Sequence, residues 1–153
     1  MTPRAPRTLR AHDESGFTLI ELMVTTLIIG ILVAIALPTF LGARARASER
    51  SAQSLIRTAY AAAKVSYTDG GTYATLSPAA LTAVDASVNY NTGPAVVGEV
   101  SVRDVSTSTM LLVSASMTGG VYCLSEDTAG MVYRGSDATD TFVTATDCNI
   151  GSW

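Results

Sequence analysis

Glu21 stands alone. Between Phe17 and Leu41, a stretch of 25 residues, it is the only ionisable side chain. A carboxylate one turn into so apolar a run costs several kcal/mol in hydrocarbon unless it lies near the interface or is paired. With no histidine, second acid or metal ligand beside it, it makes no catalytic constellation. His12 is the single histidine and precedes the run, so nothing downstream can use imidazole as base or ligand. Cys123 and Cys148 are the only cysteines. As an even pair outside the cytoplasm they read as a disulfide, two free thiols being the alternative. Closing that loop of about 26 residues stabilises by about 3.5 kcal/mol in the chain-entropy picture. Asp137, Asp140 and Asp147 lie close enough in sequence to attract calcium, but they lack the regular oxygen-ligand spacing. A solvated acidic surface is the favoured reading, with calcium the one cofactor left open and no metal site assigned. No nucleophile–base pair or metal cluster points to an enzyme.

These residues sit on a chain of uneven composition. Of 153 residues, 48% are apolar and only 15% charged, against about 25% in ordinary soluble domains. The shortage is concentrated between Phe17 and Leu41. That segment would reach roughly 37 Å as a helix, enough to cross a bilayer core. Thr18, Thr25 and Thr26 do not oppose this, because their hydroxyls can bond to backbone carbonyls of the preceding turn. Residues 1–16 carry Arg4, Arg7 and Arg10 with two prolines. They predict an unfolded leader retained in the cytoplasm. Ten basic against thirteen acidic residues exclude a general nucleic-acid-binding composition.

Pro38 removes a backbone donor and crowds the carbonyl of Ala34, which predicts a kink or local opening but not a stop. From Leu41 to Tyr67 apolar residues recur at helical spacing, with Arg44, Arg46, Glu49, Arg50, Arg57 and Lys64 for the wet side. The helix is therefore predicted from about Phe17 to Thr68, ending at Asp69-Gly70-Gly71. Arg44, Arg46 and Arg50 fall just outside the membrane, where lipid headgroups or acidic neighbours can meet them.

The string Ser15-Gly16-Phe17-Thr18-Leu19-Ile20-Glu21-Leu22-Met23-Val24 resembles the cleavage motif of type IV prepilins and of the pseudopilins of type II secretion. Gly16 matches the cut, Phe17 the first mature residue, Glu21 the fifth and Pro38 the twenty-second. The resemblance implies cleavage between Gly16 and Phe17 by a prepilin peptidase that also N-methylates Phe17. It implies that the apolar helix is retained and that Glu21 sets register by meeting the Phe17 amine of a neighbouring copy. From the residues alone, Glu21 held near the headgroups remains the other reading. An ordinary signal peptide, cut near Ala43 to Ala47, and an uncleaved signal anchor are the alternatives to prepilin processing.

After the glycine pair the chain turns β-like. Ser77-Pro78 suggests a capped short helix through Ala83. Strands are predicted at Ser87–Tyr90, Val96–Val105, Met110–Ser116, Val121–Leu124 and Met131–Arg134. Alternation in the second places Val100 and Val102 on one face, with Glu99, Ser101 and Arg103 on the other. Gly119-Gly120 marks a hairpin turn, and Glu126 to Gly130 a longer loop. Tyr60, Tyr67, Tyr73, Tyr90, Tyr122 and Tyr133 could line an exposed path, though a helix-on-sheet core uses tyrosine as readily. Trp153 has no assigned role. Type IV pilins resemble this layout in displaying a disulfide-bounded C-terminal loop, and some pseudopilins bind calcium near this end.

The expected architecture is α+β and pilin-like: a long N-terminal helix, transmembrane then amphipathic, packed on a small antiparallel sheet around a single core. The divisions are a leader at 1–16, a transmembrane and assembly helix at 17–41, and an extracytoplasmic domain at 42–153, helical to about residue 68. The expected function is a structural subunit of a type IV pilus-like filament. A type II secretion pseudopilin and a monomeric membrane-anchored binding domain are the alternatives. The resemblance implies as partners the peptidase/N-methyltransferase, other copies or related pilins, the bilayer, and an inner-membrane platform driven by a separate ATPase. The chain is placed as a single-pass protein of the cytoplasmic membrane, moving on assembly into an extracellular filament or a cell-envelope pseudopilus.

Overall fold

The computed structural model describes residues 16–149 and Trp153. Apart from Gly16, the expected leader, with His12, lies outside the described residues. Two compact units divide the chain at Phe40 and Leu41. Helix α1, Leu19–Gly70, contributes its first part to one and the rest to the other.

In the first unit the helix continues through Pro38. Thr25 Oγ1 donates to the Leu22 carbonyl at 2.9 Å, and Thr26 Oγ1 to the Leu22 and Met23 carbonyls at 3.0 Å. Thr39 Oγ1 donates to Ala36 at 2.9 Å. Each hydroxyl is thus satisfied within the helix, as a hydrocarbon surround demands. The large apolar side chains from Phe17 to Leu41 are all exposed.

The second unit is built on the amphipathic part of α1. Ala52, Ile56, Ala59, Ala62 and Ala63 form its buried stripe. Alanine at four of these positions lets the backbone approach the sheet closely while keeping strong helix propensity. The helix ends where Gly71 adopts φ 68° and donates its N–H to the Tyr67 carbonyl at 2.7 Å. A left-handed residue at this position favours glycine. Helix α2, Pro78–Val84, starts as the sequence predicts, with Ser77 accepting the Ala80 N–H at 3.2 Å.

Five strands follow: β1 Asn89–Asn91, β2 Glu99–Arg103, β3 Met110–Ala115, β4 Val121–Glu126 and β5 Val132–Asp137. They lie in the order β1-β2-β3-β4-β5. The pairs from β2 onward are antiparallel, but β1 runs parallel to β2, with Tyr90 opposite Val100. The sheet is thus mostly antiparallel, as expected, with the short edge strand β1 as its parallel member. A parallel neighbour ordinarily needs a crossover of a dozen residues or more. Here the short loop 92–98 suffices because β1 has only three residues.

The single-core expectation is corrected. One cluster, including Ile56, Ala59, Tyr73, Leu81, Val100, Met110, Leu112 and Leu124, lies between helix and sheet. A second, of Leu111, Val113, Val121, Cys123, Phe142 and Cys148, lies on the opposite sheet face. β4 is buried along its whole length, and β3 at every position except Ala115. Ser101, predicted on the wet side, is fully buried and donates its hydroxyl to the Gly93 carbonyl at 2.5 Å.

Candidate functional site

The N-terminal segment begins with Gly16. A Cβ built there would meet nothing within 4 Å, so packing within this chain does not require glycine. Phe17 is 84% exposed. Thr18 precedes α1, and its Oγ1 accepts the Glu21 N–H at 3.3 Å. This satisfies one of the orphan donors of the first turn. The sequence reading missed this cap, although Thr18-Leu19-Ile20-Glu21 has the spacing of a capping box. Glu21 lies in the first turn, where a negative charge is favoured by the helix dipole. Its carboxylate forms no ion pair among the described residues.

Far along the chain, Cys123 and Cys148 form a disulfide with Cα atoms 5.7 Å apart. It ties β4 to the short 3₁₀ turn Ala145–Asn149. The segment between β5 and this turn is also held non-covalently. Arg103 donates to both Asp140 oxygens at 2.7 and 2.6 Å, to the Phe142 carbonyl at 2.6 Å and to the Gly93 carbonyl at 2.9 Å. The Arg103 hydrogen bonds hold the Asp140 carboxyl below the usual carboxylate range.

The three aspartates considered for calcium are separately employed. Asp137 accepts from Ala138 N–H and Thr141 Oγ1, Asp140 from Arg103 and Ala95 N–H, and Asp147 from the Val143 and Thr144 amides. Among the described residues no three His, Cys, Asp or Glu side chains converge in a metal-binding group.

Glu126, expected to open the loop ending at Gly130, lies in a strand instead. It closes β4 and is 5% exposed. Tyr73 Oη donates to its Oε2 at 2.9 Å and Tyr60 Oη at 3.0 Å. Lys64 Nζ donates to Oε1 at 2.8 Å and to Oε2 at 3.0 Å. Burial first, then the bond to Glu126, pushes the Tyr73 hydroxyl far above its ordinary range. Lys64 is raised by its hydrogen bond to Glu126. Lys64 Nζ also lies 5.3 to 5.8 Å from the ring centres of Tyr60, Tyr67 and Tyr73. These tyrosines therefore belong to the packing between helix and sheet, not to an exposed path. Trp153 gains a role: its indole N–H donates to the Cys123 and Gly135 carbonyls at 3.2 and 2.8 Å. Arg57 and Arg134 flank its ring.

Known proteins resemble this chain at its exposed N-terminal helix. A family model of the prokaryotic N-terminal methylation motif matches residues 12–37. The chain carries a prepilin-type N-terminal methylation motif. It is similar to the type IV major pilin protein PilA of Myxococcus xanthus (strain DK1622), being 43% identical over 58 residues. The match covers 38% of this chain and 26% of the relative, so the chain spans about a quarter of that protein's length in the alignment. No solved structure matches. The family model covers Gly16, Phe17 and Glu21 and ends one residue before Pro38. The α+β arrangement of long helix and five-stranded sheet agrees with a pilin fold.

Proposed function

We propose that this chain is a structural, non-catalytic subunit of a type IV pilus-like filament. The observation that carries the reading is the helix from Leu19 to Leu41, apolar on every side and bearing one carboxylate, directly behind a prepilin motif. Such a surface needs either lipid or other protein around it. A prepilin peptidase cuts between Gly16 and Phe17 and methylates the new amine. The glycine, which packing within the chain leaves unconstrained, then answers to the peptidase.

Before assembly, the helix crosses the cytoplasmic membrane once, with residues from Gly42 onward outside the cytoplasm. On assembly it passes from lipid into a bundle of like helices, moved by an inner-membrane platform and its separate ATPase. There the Phe17 amine of one copy neutralises Glu21 of another, which removes the charge burial cost and sets axial register. Pro38, lacking a donor, lets the helix adjust locally in that bundle. The similarity to a major pilin covers the N-terminal part, whose motif pilins and pseudopilins share, so pilus and pseudopilus are separated by the experiment below. The mechanism calls for no cofactor.

Glu21→Ala tests this. In a solitary membrane anchor, removing the charge leaves insertion equal or improved. In a filament subunit, total membrane-bound protein stays the same while sheared surface filaments fall. Equal filament yield from Glu21→Ala and wild type would reject the register role. Absence of surface filaments from the wild type in its native host would favour a pseudopilus.

A further inference from the structure

Four basic residues of α1 share one stripe. At about 100° per residue, Arg46, Arg50, Arg57 and Lys64 fall within about 40° of one another around the helix. The upper part of the stripe is matched within the chain. Lys64 meets Glu126, and the Arg57 guanidinium lies 5.0 Å from the centre of the Trp153 ring. Arg46 and Arg50 are exposed and make no ion pair among the described residues. Arg46 folds back toward Gly42, where an added Cβ would lie 3.6 Å from Nη1. Glu49 faces the β3–β4 turn, its Oε1 3.4 Å from Thr118 Oγ1. Like charges at i and i+4 weaken a helix slightly, so Arg46 and Arg50 do nothing together for the isolated chain.

The lower rim of the sheet carries the opposite sign. The β3–β4 turn meets α1 at Ser48, whose Oγ accepts the Met117 N–H at 2.7 Å, and Tyr122 sits beside Gln53. Val121 is therefore about level with residues 50–53 of α1, and Asp137 is its partner on β5. Asp137 ends the outermost strand, at the free side of the sheet. Hydrogen bonds from Thr141 Oγ1 and the Ala138 N–H hold its carboxyl below the usual carboxylate range. It is thus charged at neutral pH, and it makes no ion pair among the described residues. Glu99 lies at the same end of the sheet, but it accepts from Asn91 at 2.7 Å and is covered on its outer side by β1.

We propose that Arg50 of one copy pairs with Asp137 of a neighbouring copy in the filament. The inference rests on the proposed filament and on its pairing of Phe17 with Glu21 of another copy. That pairing offsets the copies by four residues, about 6 Å along α1. The copy so raised brings its residues 46–49 level with its neighbour's Asp137. Helical side chains lean toward the N-terminus, which carries the Arg50 guanidinium down to that level. Arg46, one turn lower on the same stripe, adds to the positive field there. Opposite charge at a shared level selects a second copy as the occupant, and the fork of arginine suits a carboxylate.

The test uses the full chain in its native host. Arg50→Asp and Asp137→Arg, each alone, should lower the yield of sheared filaments about fivefold at equal membrane-bound protein, the equivalent of about 1 kcal/mol. The two substitutions together should restore it. Asp137→Asn keeps an oxygen for Thr141 and should also lower the yield, which separates lost charge from a damaged loop. Chains carrying Arg50→Cys or Asp137→Cys, expressed together, should yield filaments in which mass spectrometry finds a disulfide joining positions 50 and 137 of different chains. Unchanged yield from both reversals, or no such link in assembled filaments, would overturn the pair while leaving the filament reading intact. A link formed only within single chains that carry both cysteines would overturn it in favour of an internal ion pair. Absence of surface filaments from the wild type would overturn the filament reading and this contact with it.

Discussion

Replacing Cys123 and Cys148 together by alanine should destabilise the second unit strongly without disturbing membrane insertion. The bridge closes a loop across a sequence separation of 25 residues. The chain-entropy relation for a loop of that size gives about 3.5 kcal/mol. For a domain near this size, 1 kcal/mol shifts the melting temperature by about 4–8 °C. The expected fall is therefore about 14–28 °C. Both sulfurs are fully buried in the cluster around Phe142, so truncation to alanine adds a packing loss in the same direction. The remaining clasp, Arg103 with Asp140 and the Phe142 carbonyl, should keep residues 140–142 docked after the bridge is gone. Thermal unfolding of the detergent-solubilised full chain, followed by near-ultraviolet circular dichroism, gives the magnitude. Hydrogen exchange on residues 137–148 gives the location. A loss below about 1 kcal/mol would refute the reasoning, since the denatured chain would then gain little freedom from the cut.

Four further outcomes follow from particular contacts. Glu126→Ala should cost about 3 kcal/mol by urea unfolding, because it strands the buried Tyr73 hydroxyl and leaves Lys64 without its carboxylate. Tyr90 has a buried hydroxyl with no partner among the described residues, and burial pushes it up to about 12; Tyr90→Phe should be neutral or stabilising by up to about 1 kcal/mol in the same assay. Asp140 has a lowered folded-state pKa, so its stabilisation is complete above the ordinary carboxylate value near 3.9 and drains as pH falls through the lowered value. The stability difference between wild type and Asp140→Asn should thus be flat from about pH 5 to 8 and shrink under more acidic conditions. Thr18→Val should speed amide exchange at Glu21 by weakening the first turn by about 1 kcal/mol, read by mass spectrometry in micelles.

Features written in local chain chemistry were legible from sequence. The α1 stop at Gly71, the Ser77 cap of α2 and the Gly119 turn with φ 88° each depend on a few adjacent residues. Strand positions were also recovered, with ends displaced by a few residues. Glu126 was not legible because Glu126-Asp127-Thr128-Ala129-Gly130 carries strong turn chemistry. What buries Glu126 is Tyr60 and Lys64, 66 and 62 residues away on α1. Trp153 and the Arg103 clasp escaped for the same reason: their partners are set by tertiary contact. The second core was signalled, however. Met110-Leu111-Leu112-Val113 and Val121-Tyr122-Cys123-Leu124 are continuous apolar runs, the pattern of strands covered on both faces. At the N-terminus the motif residues were all visible. Their structural setting adds a cap at Thr18 and a glycine that packing within the chain does not demand.

The central claim, that the chain is processed as a prepilin and carried into a filament by its retained helix, has a direct measurement. Filaments sheared from the native host would be isolated and the subunit's N-terminal peptide sequenced by mass spectrometry. The account predicts a peptide beginning at Phe17, heavier than its unmodified sequence by one methyl group, and recovered in the filament fraction. A first residue at Ala45, Ala47 or Ser48 would contradict it, since the apolar helix would then have been discarded as an ordinary secretory signal.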